Sequence, residues 1–209
     1  MNATREQWIG SYFWWTIALQ ASIFLLAWLI FRTQMVSVAM VGIALFVFVL
    51  ALRRLDIAML IVIAEMIAGS HGHLLSTEVI GFTISLRMIL FLAVMAAWGI
   101  SFIKQSSRNH FRKLLSDERM LVWIPLWVAI TVGLIVGVIK NGSMVAFQDG
   151  NAYISTLLIF PWLTVTWERW RLRSLLQVVA ASSIWISFLS LGIFYVFSHF
   201  QIFTLTNTY

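Results

Sequence analysis

Cysteine is absent from the chain, proline occurs only twice, and Asp, Glu, Lys and Arg together make up 11% of its 209 residues. Without cysteine there is no disulfide, no thiolate metal site and no cysteine nucleophile. Soluble domains are about one quarter charged, so this scarcity of charge argues against a water-soluble fold. Also missing are a phosphate-cradling P-loop, a dinucleotide-binding glycine fingerprint, a His-Glu-x-x-His zinc motif and a Gly-x-Ser-x-Gly elbow. No cofactor and no resident metal are expected, and any catalysis would have to be membrane-embedded.

What fills the chain is apolar: 61% of residues are hydrophobic and the mean hydropathy is +0.93. A transmembrane helix needs about 20 mainly apolar residues. Seven stretches approach this, at Tyr12–Phe31, Met35–Leu52, Leu55–Gly69, Ile84–Ile103, Met120–Ile139, Tyr153–Trp167 and Leu175–His199. The third and sixth are short, and are expected to be tilted, re-entrant or extended by their neighbours. The first carries Trp14, Trp15, Trp28 and a mid-run Gln20 with no small-residue cleavage site after it, so it reads as a retained helix rather than a signal peptide. The predicted class is all-α, a polytopic transmembrane helix bundle of about seven spans forming a single domain over residues 1–209.

The net charge of +6 sits in short clusters between apolar runs, which makes it topology information and not a nucleic-acid footprint. Arg5, the pair Arg53 and Arg54, the group Lys104, Arg108, Arg112, Lys113 and Arg119, and the trio Arg169, Arg171 and Arg173 fall on one side when the seven stretches alternate. That side holds eleven of the fourteen basic residues and is expected to be cytoplasmic, with the N-terminus. Trp8, Trp14, Trp15, Trp123, Trp167 and Trp170 fall near helix ends, as an interfacial aromatic belt requires. Within Lys104–Arg119, Phe111, Leu114 and Leu115 would share one side of a surface helix, and anionic membrane lipid is a sufficient partner for its charges.

Ionisable groups at membrane depth are costly and usually face the bundle interior or water. Glu65, about one turn from the outer end of the third stretch, and Arg87, about one turn into the fourth, lie at similar depth. They could neutralise each other, or Arg87 could make paired hydrogen bonds to a phosphate or pyrophosphate. His71 and His73 in Gly69-Ser70-His71-Gly72-His73 are expected to be structural or interfacial in a sharply turning loop, with acid/base chemistry or half of a metal site as the functional alternative and Glu65 and Glu78 as the nearest carboxylates. The segment Lys140–Asn151, with Asn141-Gly142 and Asp149-Gly150-Asn151, is expected to be an outer loop in which Asp149 is a candidate substrate contact.

The stretch Asp56–Leu92, with Ile63-Ala64-Glu65, Gly69-Ser70-His71-Gly72 and Ile84-Ser85-Leu86-Arg87-Met88, resembles the third and fourth helices of bacterial O-antigen ligase and polymerase-like proteins. Phe147-Gln148-Asp149-Gly150-Asn151-Ala152-Tyr153, followed by Leu158-Ile159-Phe160-Pro161, is similar to a later outer loop and helix of the same family. The resemblance implies an inner-membrane glycosyltransferase that takes glycans from a polyprenyl-pyrophosphate carrier at the periplasmic face, using neither nucleotide sugar nor metal. Family members carry key arginines and a catalytic histidine in a large periplasmic loop later in the chain, and no residue here matches them. The expectation is therefore the N-terminal part of a longer membrane protein or a truncated relative without transferase activity. A small transporter or channel component, with Glu65 and Arg87 lining a polar path, and a non-catalytic scaffold are the alternatives from other classes.

The alternation of basic clusters makes a direct prediction. Reporters inserted within Lys104–Arg119 are expected to be active only in the cytoplasm and those within Lys140–Asn151 only outside, and the reverse pattern would overturn the orientation.

Overall fold

A computed structural model of the chain describes residues 9–30, 33, 35–69, 75–79, 82–104 and 122–199. The helices are α1 Ser11–Ile30, α2 Met35–Arg53, α3 Leu55–Ala68, α4 Leu86–Lys104, α5 Ile124–Asn141, α6 Ser143–Ile154, α7 Ile159–Thr164 and α8 Arg169–His199. A two-stranded antiparallel hairpin, β1 Ser76–Val79 and β2 Phe82–Ser85, joins α3 to α4 and pairs Ser76 with Ser85 and Val79 with Phe82. The fold is helical as expected, and the hairpin is an addition where the fourth apolar stretch was expected to begin as helix at Ile84.

Among the described residues, five helices are long and apolar enough to cross a membrane: α1, α2, α4, α5 and α8. Trp14, Trp28, Leu29, Phe46, Ile139 and Phe194 all project from the surface, and no residue of α5 is buried. In water an apolar surface of that extent would drive aggregation, whereas in a bilayer it is the solvated face. At 31 residues α8 is about 46 Å long, more than the hydrocarbon core of about 30 Å. Its first turns, with Arg169, Arg171 and Arg173, provide the excess.

The described residues fall into two compact units, one within 1–40, 60–87 and 167–209, the other within 41–59 and 88–166. In the first unit, α1 packs on α8. The buried face of α1 is Phe13, Thr16, Gln20 and Ala27, and that of α8 is Ser174, Gln177, Val178, Ala181 and Ser182. These are spacings of three and four residues or their sums, the period of one helical stripe. Small side chains on α8 let the helices approach closely, and Leu60 and Ala64 of α3 pack against Val178. The Gln20 side chain fastens this seam: its Nε2 donates to Ser182 Oγ at 2.7 Å and to the Ala64 carbonyl at 3.3 Å. Phe24 meets Trp185 edge-on with ring centroids 6.3 Å apart.

In the second unit, α5 and α6 pack through glycine and alanine. A side chain at Gly137 would lie 3.3 Å from the Ala146 Cβ, and one at Gly150 would collide with Leu134. This corrects the expectation of an outer loop over Lys140–Asn151. Apart from Gly142, that segment is helix, because close packing of small residues outweighs the turn preference of Asp149-Gly150-Asn151. Gly142 is the break between the helices, at φ 85° and ψ 160°, a conformation essentially confined to glycine.

The sixth expected span, Tyr153–Trp167, is not a separate element. Helical backbone runs on from α6 through a 3₁₀ turn at Ser155–Leu158 into α7, and ends at an extended Val165. Pro161 has no N–H to give to the Leu157 carbonyl and its ring crowds that group, so a tightened turn just before it is the expected response. Trp98, Phe160 and Trp127 stack nearby, with centroids 6.0 Å and 5.1 Å apart on the two sides of Phe160. Most of the surface segment expected over Lys104–Arg119 lies outside the described residues.

Two substitutions test this packing. Gln20→Leu removes both amide bonds and strands the Ser182 hydroxyl, so unfolding in detergent is expected to show a loss of about 1–2 kcal/mol. Ser22→Ala, which removes only an exposed bond to Ala18, serves as the neutral control. Gly142→Ala forces a side chain into the glycine-only region and is expected to cost about 1–3 kcal/mol in the same assay. An equal stability for wild type and either test variant would refute the corresponding role.

Candidate functional site

Two of the residues singled out above, Glu65 and Arg87, meet at the end of α3. Helix α3 stops at Ala68 and Gly69 closes its last turn, donating its N–H to the Glu65 carbonyl at 2.7 Å. The chain returns through the hairpin. Its base is closed by a bond from the Leu86 N–H to the Leu75 carbonyl at 3.0 Å, and both leucines are buried. That anchor sets where α4 begins and delivers Arg87, the second residue of α4, to the end of α3.

Arg87 donates through Nη2 to the Gly69 carbonyl at 2.8 Å. Carbonyls at a helix C-terminus have no partner inside the helix and carry the negative end of its dipole, so a guanidinium is well suited to that position. Glu65 lies one turn back on α3 and is buried, at 7% exposure. Its carboxylate is pressed over Gly69: a Cβ there would collide with Glu65 Oε1 and lie 2.8 Å from the Glu65 main-chain oxygen. The guanidinium bonds to the Gly69 carbonyl, however, and not to Glu65. Among the described residues Arg87 Nε is buried without a hydrogen-bond partner. An arginine has five N–H donors, so the group retains capacity for an acceptor such as a phosphate oxygen.

Of the other candidates, His71 and His73 lie outside the described residues. Asp149 is on α6, in the second unit, and not in a loop. The structure therefore brings Glu65 and Arg87 together. Among the described residues no set of three His, Cys, Asp or Glu side chains is placed to hold a metal.

Two features were not singled out as site residues from the sequence. The first is the polar seam of the α1–α8 unit, where Gln20 Oε1 is buried without a partner among the described residues. Gln20 is conspicuous as a mid-span amide, and the repeat Ser174, Gln177, Ala181, Ser182 was the available signal for its partner face. The second is a cleft of about 400 Å³ between α5 and α6, lined by residues including Ile130, Gly133, Gly137, Asn141 and Tyr153. Its glycines read from sequence as a helix-packing face; Gly137 does pack, against Ala146, whereas Gly133 has open space beside it and leaves part of the concave surface.

Compared with known protein families, with curated proteins and with solved structures, the chain matches none.

Proposed function

We propose that this chain is the membrane-embedded part of an O-antigen ligase- or polymerase-like protein. It handles polyprenyl-pyrophosphate-linked glycans at the periplasmic face of the bacterial inner membrane, in the assembly of cell-surface polysaccharide. In this reading the chain crosses the bilayer about seven times with its N-terminus in the cytoplasm, and Arg87 binds the pyrophosphate. Any transferase chemistry is that of a membrane glycosyltransferase using a lipid-linked donor.

The observation that carries the proposal is Arg87, whose Nη2 donates to the Gly69 carbonyl at the end of α3 and whose guanidinium carries more N–H donors than that one carbonyl accepts. A guanidinium fixed at one nitrogen is oriented and still able to donate elsewhere, which suits paired recognition of a phosphate. It sits in the stretch, Asp56–Leu92, that carries most of the family resemblance. The scarcity of basic residues on the outer side adds to the argument, since Arg87 is one of few cations there to meet an anionic headgroup.

The test is binding of a polyprenyl pyrophosphate to the full chain in phosphatidylcholine nanodiscs, with the matching polyprenol as control. Losing charge-assisted hydrogen bonds is expected to make Arg87→Gln bind about 10- to 100-fold more weakly, while polyprenol binding stays unchanged. Unchanged pyrophosphate affinity in a correctly inserted Arg87→Gln chain would defeat the assignment.

A further inference from the structure

We propose that the cleft between α5 and α6 seats a single hydrocarbon chain of an anionic phospholipid, whose phosphate lies against Lys140 at the end of α5.

The α5 face that lines the cleft runs through Leu126, Ile130, Gly133, Gly137 and Asn141, steps of three and four residues that keep one helical stripe toward α6. Two glycines in that stripe act differently. Gly137 serves packing, since a Cβ there would lie 3.3 Å from the Ala146 Cβ. A Cβ at Gly133 would meet nothing within 4 Å. Glycine weakens a helix relative to alanine, and at position 133 no neighbouring atom demands it. What its missing side chain supplies is depth to the cleft.

Shape selects the occupant. From Leu126 to Asn141 the stripe is about 22 Å long. A volume of about 400 Å³ spread over that length has a mean section of about 18 Å², a channel about 5 Å wide. A helix with its side chains is about 10–12 Å across, too wide to enter. A methylene chain enters, because non-bonded carbons settle about 3.5–4.0 Å apart. In a bilayer such chains are at hand: the opposite face of α5, with Val128, Val132, Ile135 and Ile139, is exposed and apolar. An empty apolar cleft forfeits dispersion contacts along its lining, and a chain lying in it restores them.

Charge selects the lipid. Lys140 stands seven residues beyond Gly133 and three beyond Gly137, which returns it to the cleft face of α5 in the last turn of the helix. It is exposed, and it is the one basic residue between Arg119 and Arg169. A lysine stem lies against apolar surface while its ammonium meets a headgroup phosphate, and anionic lipid strengthens that attraction. A narrow apolar channel with a cation at one end is complementary to a phospholipid of net negative charge.

The experiment reconstitutes the full chain in phosphatidylcholine vesicles containing a small fraction of phosphatidylglycerol with a diazirine on one acyl chain, and maps the photolabelled residues. Labels are expected on the cleft residues Ile130, Gly133 and Tyr153 in preference to the outward Val128 and Val132. Gly133→Leu fills the channel and is expected to lower cleft labelling about tenfold, with stability in detergent kept or raised. Gly133→Ala, the smaller change, is expected to move labelling in the same direction. Gly42→Leu on α2, where a Cβ also meets nothing, is the control that leaves cleft labelling unchanged. Lys140→Gln is expected to reduce labelling about fivefold, to the level given by a diazirine-bearing phosphatidylcholine. Labels spread evenly around α5, equal cleft labelling by the two lipids in wild type, or wild-type labelling of both Gly133 variants would overturn the proposal. So would an oligomer that Gly133→Leu dissociates, which would give the cleft to a second copy of the chain.

Discussion

Helix α3 ends after 14 residues, and the carbonyls of its last turn need donors from elsewhere in the fold. In an apolar setting an unsatisfied carbonyl costs several kcal/mol, on the order of what a whole helix contact contributes. The bond from Arg87 to the Gly69 carbonyl meets part of that need. The hairpin exists in a position to make it: β1 and β2 turn the chain back, Leu75 and Leu86 close the base, and Arg87 follows directly. An arginine suits the task because its long apolar stem spans the distance while the guanidinium carries more donors than one carbonyl can use. The candidate site is thus a by-product of ending a helix early, with surplus donors where a ligand could use them.

The α1–α8 unit answers the same constraint differently. Lipid supplies no hydrophobic drive for two helices to associate, so close packing of small residues and a few internal hydrogen bonds must hold them. Ser174, Ala181 and Ser182 supply the first, and the Gln20 amide, reaching both Ser182 and the Ala64 carbonyl, supplies the second. Gly10 contributes in a similar way, since a Cβ there would meet the Gln177 side chain at 2.7 Å. In the second unit, glycine and alanine on α5 and α6 do for an apolar pair what this seam does for a polar one.

Much of this was legible from residue order because long apolar runs leave one option for a backbone in lipid, and α1, α2, α4 and α5 fall close to where hydropathy put them. The departures share a cause, contacts that no local pattern encodes. Asp149-Gly150-Asn151 has the composition of a turn, yet Gly150 is where α6 lies against Leu134, and the segment is helical. The start of α8 at Arg169 was hidden because charge masks a helix that outlasts the hydrocarbon. The hairpin was passed over because Phe82-Thr83-Ile84-Ser85 runs into an apolar stretch, although two β-branched tetrads separated by Ile80 and Gly81 carried the signal. At the site, Glu65 and Arg87 stood out as charges in apolar sequence, whereas the part played by Gly69 depends on a side-chain approach that only coordinates reveal.

Depth ties the site to the proposed orientation. If Arg53 and Arg54 lie on the cytoplasmic side, as proposed, 14 residues of α3 rise about 21 Å from them, short of the hydrocarbon thickness of about 30 Å. Under that proposal Gly69, and Arg87 bonded to it, would lie beneath the outer surface and not at it. Non-helical backbone at membrane depth is tolerated only where it is covered by protein or lines a water-filled space, and a charged guanidinium there carries the same requirement. In the proposed orientation, a hairpin and an arginine at that depth would need cover by protein or a water-filled space. A water-filled space there would suit the proposed carrier lipid, whose pyrophosphate could be wet and held while its chain stays in the bilayer. The early end of α3 leaves its last carbonyls to be capped from outside the helix, and the guanidinium that caps one of them brings a charge to that place.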